Sequence, residues 1–313
     1  LGDYAIPLQS GEVKLLRKGP AFWEPLGQRD IPTTLFKMPA TFPCDAENVH
    51  MVSGMGTPDL RGGYGSYTMV TTRPADFPGE HTGGKIVQVS FSQGRMDAHL
   101  PGPRNSLATG HPKTSIPLTV WRDATNPVVR IRLGSKEFVL KEGEWTGWTE
   151  VNFPLISSLI EVSGICKLYV KSVHPEFHLY ISPLNINPSD PTLPIASSDD
   201  YARQLVDDVG YFYTQGLPDD TKALSEGVLS EQEYLHNAQQ VLHERRRFLN
   251  YELGELGRQE QGMLFFYVSS LDQNCHMYWR SMDPDNPLYD PELATQYGQT
   301  IRSFYTQMDE MVG

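Results

Sequence analysis

The sequence predicts an α/β protein that carries an inserted antiparallel β-sandwich-like domain. Three observations point to this. A short helix followed by a short apolar strand opens the chain, and near its end a long amphipathic helix leads into an apolar run that does not alternate, the pattern of strands covered by helices. Between Lys85 and Ser182 the apolar period changes to two. Pro183, Pro188, Pro191 and Pro194 then separate that stretch from a final region with a 3.6-residue period. The predicted segments are residues 1–83 and 199–313 for the two parts of the α/β domain, 84–183 for the insertion and 184–198 for the connector.

In chain order, Ala21-Phe22-Trp23-Glu24 and Leu26 suggest a short helix around Pro25, and Ile31–Lys37 reads as a strand. A glycine-dense loop follows, Gly54-Met55-Gly56-Thr57-Pro58-Asp59, continuing to Gly62, Gly63 and Gly65. In the insertion, Val87/Val89/Phe91, Ile116/Leu118/Val120, Val129/Ile131/Leu133, Cys166/Leu168/Val170 and Phe177/Leu179/Ile181 alternate with polar neighbours. Such strands have one wet face, as in an antiparallel sandwich or barrel. Asp199 and Asp200 open a helix that Gly210 stops. Ser230 and Glu233 form a capping box for a helix to about Leu256, with Leu235, Ala238, Leu242, Leu249 and Leu253 on its apolar stripe. Arg245-Arg246-Arg247 within it reads as a solvated or sheet-edge run. Met263–Val268 then reads as a parallel strand buried on both faces. Asp290 and Pro291 start a last helix that turns Leu293, Tyr297, Ile301, Phe304, Met308 and Met311 inward.

Composition excludes several classes. Hydrophobic residues make up 39% and charged residues 20%, which rules out disordered, collagen-like and coiled-coil chains. No apolar run approaches the ~18 residues of a membrane span. With 38 acidic and 26 basic side chains the net charge is −12, which repels a nucleic-acid duplex. Cys44, Cys166 and Cys275 form neither a disulfide scaffold nor a zinc-finger spacing, so they set no compartment. Because the chain starts at Leu1 and stops at Gly313 beside a helical stretch, it is read as part of a longer protein.

The strongest chemical signal is Ser269-Ser270-Leu271-Asp272-Gln273-Asn274-Cys275-His276, directly after the apolar strand. Ligands collect at the carboxyl ends of strands in open α/β sheets. Asp272 and His276 are four apart, which brings a carboxylate and an imidazole to one side of a helical turn, and both are zinc ligands. At least one more ligand must come from elsewhere. Asp219, Asp220 and Lys222, in the loop after Gly216, are weaker substrate-binding candidates, as a carboxylate pair beside a lysine. The Gly54–Asp59 loop could turn backbone N–H groups toward an anion, although it is neither a dinucleotide fingerprint nor a P-loop. Thr57 within it has no identifiable base beside it. A reading of a different class is a non-catalytic carbohydrate- or protein-binding protein, with Trp121, Trp145, Trp148 and Tyr180 as an exposed stacking platform.

Gly54–Gly62, Gly216–Leu224 and Leu264–Arg280 resemble motifs of the type I phosphodiesterase/nucleotide pyrophosphatase group of the alkaline phosphatase superfamily. The resemblance implies a parallel sheet of alkaline-phosphatase type, here incomplete at both ends. It also implies two divalent metal ions, usually zinc, and a Thr or Ser nucleophile that forms a phospho-enzyme intermediate on a small phosphorylated substrate. The family's Asp-x-x-x-His pair, two ligands of one metal, maps onto Asp272 and His276. Its nucleophile falls ahead of Leu1, and its Asp-His-Gly and last His fall beyond Gly313. The expectation is therefore the central part of such a hydrolase, with no nucleophile and no turnover by these 313 residues alone.

Overall fold

A computed structural model describes residues 13–156 and 159–313 of the chain; the first twelve residues of the predicted leading segment lie outside the described residues. The protein is a mixed α/β fold with one parallel sheet and several sheets that are wholly or mainly antiparallel. The α/β part starts with α1 (Glu24–Gly27), whose Pro25 sits in the first turn, where a missing N–H does no harm. Strands β1 (Thr33–Met38) and β2 (His50–Ser53) follow. The all-β part contains β3 (Tyr67–Thr71), β4 (Gly84–Gln88), β5 (Arg95–Arg104), β6 (Lys113–Arg122), β7 (Val128–Leu133), β8 (Lys136–Lys141), β9 (Thr149–Ile156), β10 (Ile160–Cys166), β11 (Leu168–Ser172), β12 (His178–Ile181) and β13 (Asn185–Ile186). The chain then forms α2 (Asp199–Asp208), α3 (Thr221–Ser225), α4 (Glu231–Leu256), β14 (Met263–Phe266), α5 (Ser270–Met282), α6 (Pro291–Tyr297) and α7 (Thr300–Val312).

The parallel sheet has the order β14-β1-β2, with Leu35 opposite Phe265 and Met51. Helices α2 and α4 cover one side, and the segment leading into α1 with the loop before β2 covers the other. Phe36 packs with Tyr201, Leu205, Phe212 and Phe248 on one face, and Leu35 with Ala21, Trp23, Val49 and Met51 on the other. The apolar run after the long helix is thus a parallel strand, but it is not buried on both faces. It lies at the edge of the sheet and Met263–Phe266 are all half-buried, because the described residues supply no strand on its outer side.

The sheet β11-β12-β3-β4 is a middle layer. Val70, Leu168, Val170, Leu179 and Ile181 face the core shared with the antiparallel sheets, while Tyr67, Met69, Tyr169 and Tyr180 face the helices. This corrects the one-wet-face reading for β11 and β12. Their alternation is real, but α4 and its neighbours cover the second face, and Tyr and Lys reach polar partners at its margins. The outer sheet β5-β6-β7-β8 keeps the expected buried/exposed alternation. The proline-rich connector is not a free spacer. It is largely buried, pairs with β10 through β13, and runs along β2, where Ser53 N donates to Ile195 O and Ser197 N to Met51 O.

The capping box at Ser230 and Glu233 forms as the sequence implies, and α4 ends at Leu256. Its buried face is rotated from the expected leucine stripe. Tyr234, Ala238, Val241, Leu242, Arg245, Phe248 and Glu252 point inward and Leu253 is exposed. One half of this helix packs on the middle sheet and the other on the parallel sheet, so two partners define its inner face. Arg246 and Arg247 are solvated, but Arg245 is 1% exposed, against the surface reading of the arginine run. The last helix is two helices, broken at Gly298-Gln299, with Ile301 and Phe304 inward as expected.

Candidate functional site

At the carboxyl ends of the parallel strands, three loops meet: Gly54–Asp59 after β2, Tyr213–Asp220 before α3, and Tyr267–Ser269 leading into α5. They carry parts of the three motifs singled out in the sequence, the third of which continues into α5. Gly216 N donates to Thr57 O at 2.9 Å, and the Gln273 amide donates to Asp219 Oδ2 at 2.7 Å. Glycine permits the first approach. A Cβ on Gly216 would lie 2.7 Å from Gly54 O and 2.8 Å from Gly56 N, both backbone atoms. Gly216→Ala is expected to lower stability by ~1–3 kcal/mol, as forced overpacking does. Gly254→Ala, where nothing lies within 4 Å, should raise it by up to ~1 kcal/mol. Urea midpoints of the two variants check both signs.

The Gly-rich loop does cradle an anion, but the anion is its own. Asp59 Oδ1 accepts from Arg61 N at 2.9 Å and Gly63 N at 2.8 Å, and Oδ2 from Ser66 N at 2.8 Å. Thr57 is buried, and its hydroxyl lies 2.7 Å from Gly54 O, to which it donates, and 2.8 Å from Ser53 Oγ. It holds the turn and offers no accessible nucleophile.

Asp219 and Asp220 are both buried beneath this junction, 3% and 5% exposed. Burial pushes each carboxyl up to about 7; Asp220 also adds to the rise at Asp219, while Arg245 opposes it. Asp219 is held by Gln273 and, at 3.5 Å, by the Asn274 amide. Neither Asp220 carboxylate oxygen has a hydrogen-bond partner of good geometry among the described residues, although the Tyr180 hydroxyl and the Lys167 ammonium act on it. A cavity of about 80 Å³ beside the pair is lined also by Tyr64, Tyr67, Tyr180 and Lys222. Lys222 was expected to be the cation of this group. It is exposed on α3, and the cations that act on the acids are Arg245 and Lys167.

Sequence reasoning missed those cations, and Lys37 with them. Lys37 sits at a register shift in β1 with φ +61°, and its buried ammonium donates to Thr214 O at 3.0 Å. Burial and the neighbouring Arg245 hold its pKa well below the usual lysine value. The Arg245 guanidinium lies 3.7 Å from Glu244 and over the Phe36 ring. A signal for Arg245 existed: it stands three and four residues from Leu242 and Val241, on the apolar face of α4. Chemically, two acids near neutral pKa beside buried cations form a proton-holding network.

Asp272 and His276 lie on the other face of α5. Asp272 Oδ1 is 3.6 Å from His276 Nε2, and the side chains are 63% and 72% exposed. They start from the first turns of the helix that follows β14, at the rim of the parallel sheet. Among the described residues no group of three or more His, Cys, Asp or Glu side chains could hold a metal ion. Two further histidines that share an even spacing have other partners: His178 bridges Thr71 and Asp76, and His174 bonds Asp123 O. The proposed stacking platform does not exist as an exposed surface. Tyr180 is fully buried, Trp145 stacks on Tyr169, Trp148 packs edge-on against Tyr213, and Trp121 lies under three arginines. No helix among the described residues is long and apolar enough to cross a membrane. No family model, no curated protein and no solved structure matches this chain.

Proposed function

We propose that the chain is the central part of a divalent-metal-dependent phosphohydrolase of the alkaline phosphatase superfamily. It cleaves a phosphodiester, pyrophosphate or phosphomonoester through a phospho-enzyme intermediate. Asp272 and His276 hold one of two metal ions, most simply zinc. The observation that carries this reading is their geometry: an oxygen and an imidazole nitrogen 3.6 Å apart, open to solvent, beyond the carboxyl end of a parallel strand. Ligands at ~2.1 Å in a tetrahedral shell stand about 3.4 Å from one another, so the pair fits half of a zinc shell. When bound, the metals activate the attacking oxygen and stabilise the leaving oxygen. The chain's own part is to fix the two donors on one face of a 13-residue helix, whose inner face Gln273 and Asn274 tie to Asp219. The remaining ligands and the nucleophile come from residues other than the described ones.

The test is zinc affinity by competition with a chromophoric chelator, together with hydrolysis of bis(4-nitrophenyl) phosphate by the whole gene product. Asp272→Ala and His276→Ala are each expected to weaken zinc binding at least tenfold and to cut hydrolysis by ~100-fold or more, with unchanged helix content. Wild-type zinc affinity and turnover in both variants would remove the proposal.

A further inference from the structure

We propose that the pocket walled by Arg61, Lys85, Arg104 and Lys113 binds a compact anion carrying two or more phosphate or sulfate groups. The pocket, about 350 Å³, lies between the Gly-rich loop and strands β4, β5 and β6. That is the size of an ordinary small-ligand site. Acids outnumber bases 38 to 26 in this chain, yet four bases and no acid line this wall. Two neighbouring acids already have hydrogen-bond partners of their own, although the charge of Asp59 also acts on Arg61. Asp59 accepts three backbone N–H groups of its own loop, and Glu226 accepts from Gly83 N, the Thr82 hydroxyl and the Tyr67 hydroxyl.

A second, independent observation is the strand register. Arg104 and Lys113 are direct cross-strand partners in β5 and β6, beyond a register shift. Like charges directly opposite one another are destabilising in an antiparallel pair. None of the four cations makes an ion pair among the described residues. Arg61 is a fixed charge at the back, its guanidinium donating to Pro101 O, Ser66 O and Thr68 Oγ1, all neutral acceptors. Lys85, Arg104 and Lys113 are exposed and keep their donors for a ligand. A multiply charged oxyanion would offset the Arg104–Lys113 repulsion and meet charge from three sides. The inference does not depend on the proposed hydrolase activity.

The experiment is calorimetric titration of the 313-residue chain at low salt, with a metal chelator present so that Asp272 and His276 bind nothing. One arm uses inorganic pyrophosphate and the other a disulfated disaccharide, which separates a phosphate from a sulfate source. At least one should bind with a micromolar Kd that weakens tenfold or more at high salt. Arg104→Ala/Lys113→Ala should weaken binding at least tenfold, while its ligand-free melting temperature stays at or above that of the wild type, because the like-charge pair is gone. Asp272→Ala/His276→Ala should bind like the wild type. No binding in either arm, or unchanged binding in the Arg104/Lys113 variant, would overturn the proposal.

Discussion

The stability advantage of an Asp219→Asn/Asp220→Asn variant over the wild type is expected to grow by several kcal/mol as pH rises from about 4 to about 8. Both carboxyls are raised from 3.8 to about 7 in the folded protein, with burial as the largest cause. Well below pH 3.8 both are protonated whether the chain is folded or not, and they contribute no pH dependence. Between these values the unfolded chain releases protons that the folded one keeps, so wild-type stability falls with rising pH until about pH 7. A carboxyl raised from 3.8 to about 7 contributes on the order of 4 kcal/mol to that fall. The two acids are neighbours, so the fall belongs to the pair. His50 and the buried His178 have pKa values lowered by partial desolvation and work in the opposite direction, destabilising the fold as pH falls below 6.5. They are the same in both proteins, so the difference between variant and wild type isolates the aspartates. Urea denaturation at several pH values measures it. A flat difference curve would mean that the acids are solvated or ion-paired in solution.

Replacing Arg245 by Met is expected to destabilise the protein by ~3–5 kcal/mol at pH 8, the usual penalty for removing one partner from a buried charge group. Arg245 is fully buried, and its charge acts on Glu244 and Asp219. Without it, Asp219 is pushed up further, since Arg245 is the largest influence opposing its rise. Two readouts separate this from simple loss of packing. The deficit should shrink at pH 5, where Asp219 is neutral, and Arg245→Met/Asp219→Asn should recover part of the loss. A deficit below ~1 kcal/mol would show that the guanidinium does not hold the acids.

What could be read from the sequence was local. Ser230 and Glu233 cap α4 because both hydrogen bonds close within four residues. Asp290 caps α6 for the same reason, accepting from Glu292 N and Leu293 N. Asp272 and His276 meet because one helical turn brings them together, whatever surrounds the helix. Gly298 hid a break, since the apolar residues on either side of it keep helical spacing. Adjacency in sequence makes Lys222 the expected partner of the acids, but adjacency in a loop says little about where a long side chain goes.

The amino-acid sequence by itself therefore determined several of the helices and strands, the caps of α4 and α6, and the Asp272–His276 pair, since each depends on contacts a few residues apart. Tertiary structure decided which acids are buried, that Arg245 and Lys167 are the cations acting on them, that β14 is an edge strand, and that Arg104 and Lys113 face each other across a sheet. Those outcomes depend on which surfaces are brought together from distant positions, 177 residues apart where Lys37 reaches Thr214 and more than two hundred where β1 pairs with β14. Only packing sets the burial and the charge neighbours that fix the energy of an ionisable group.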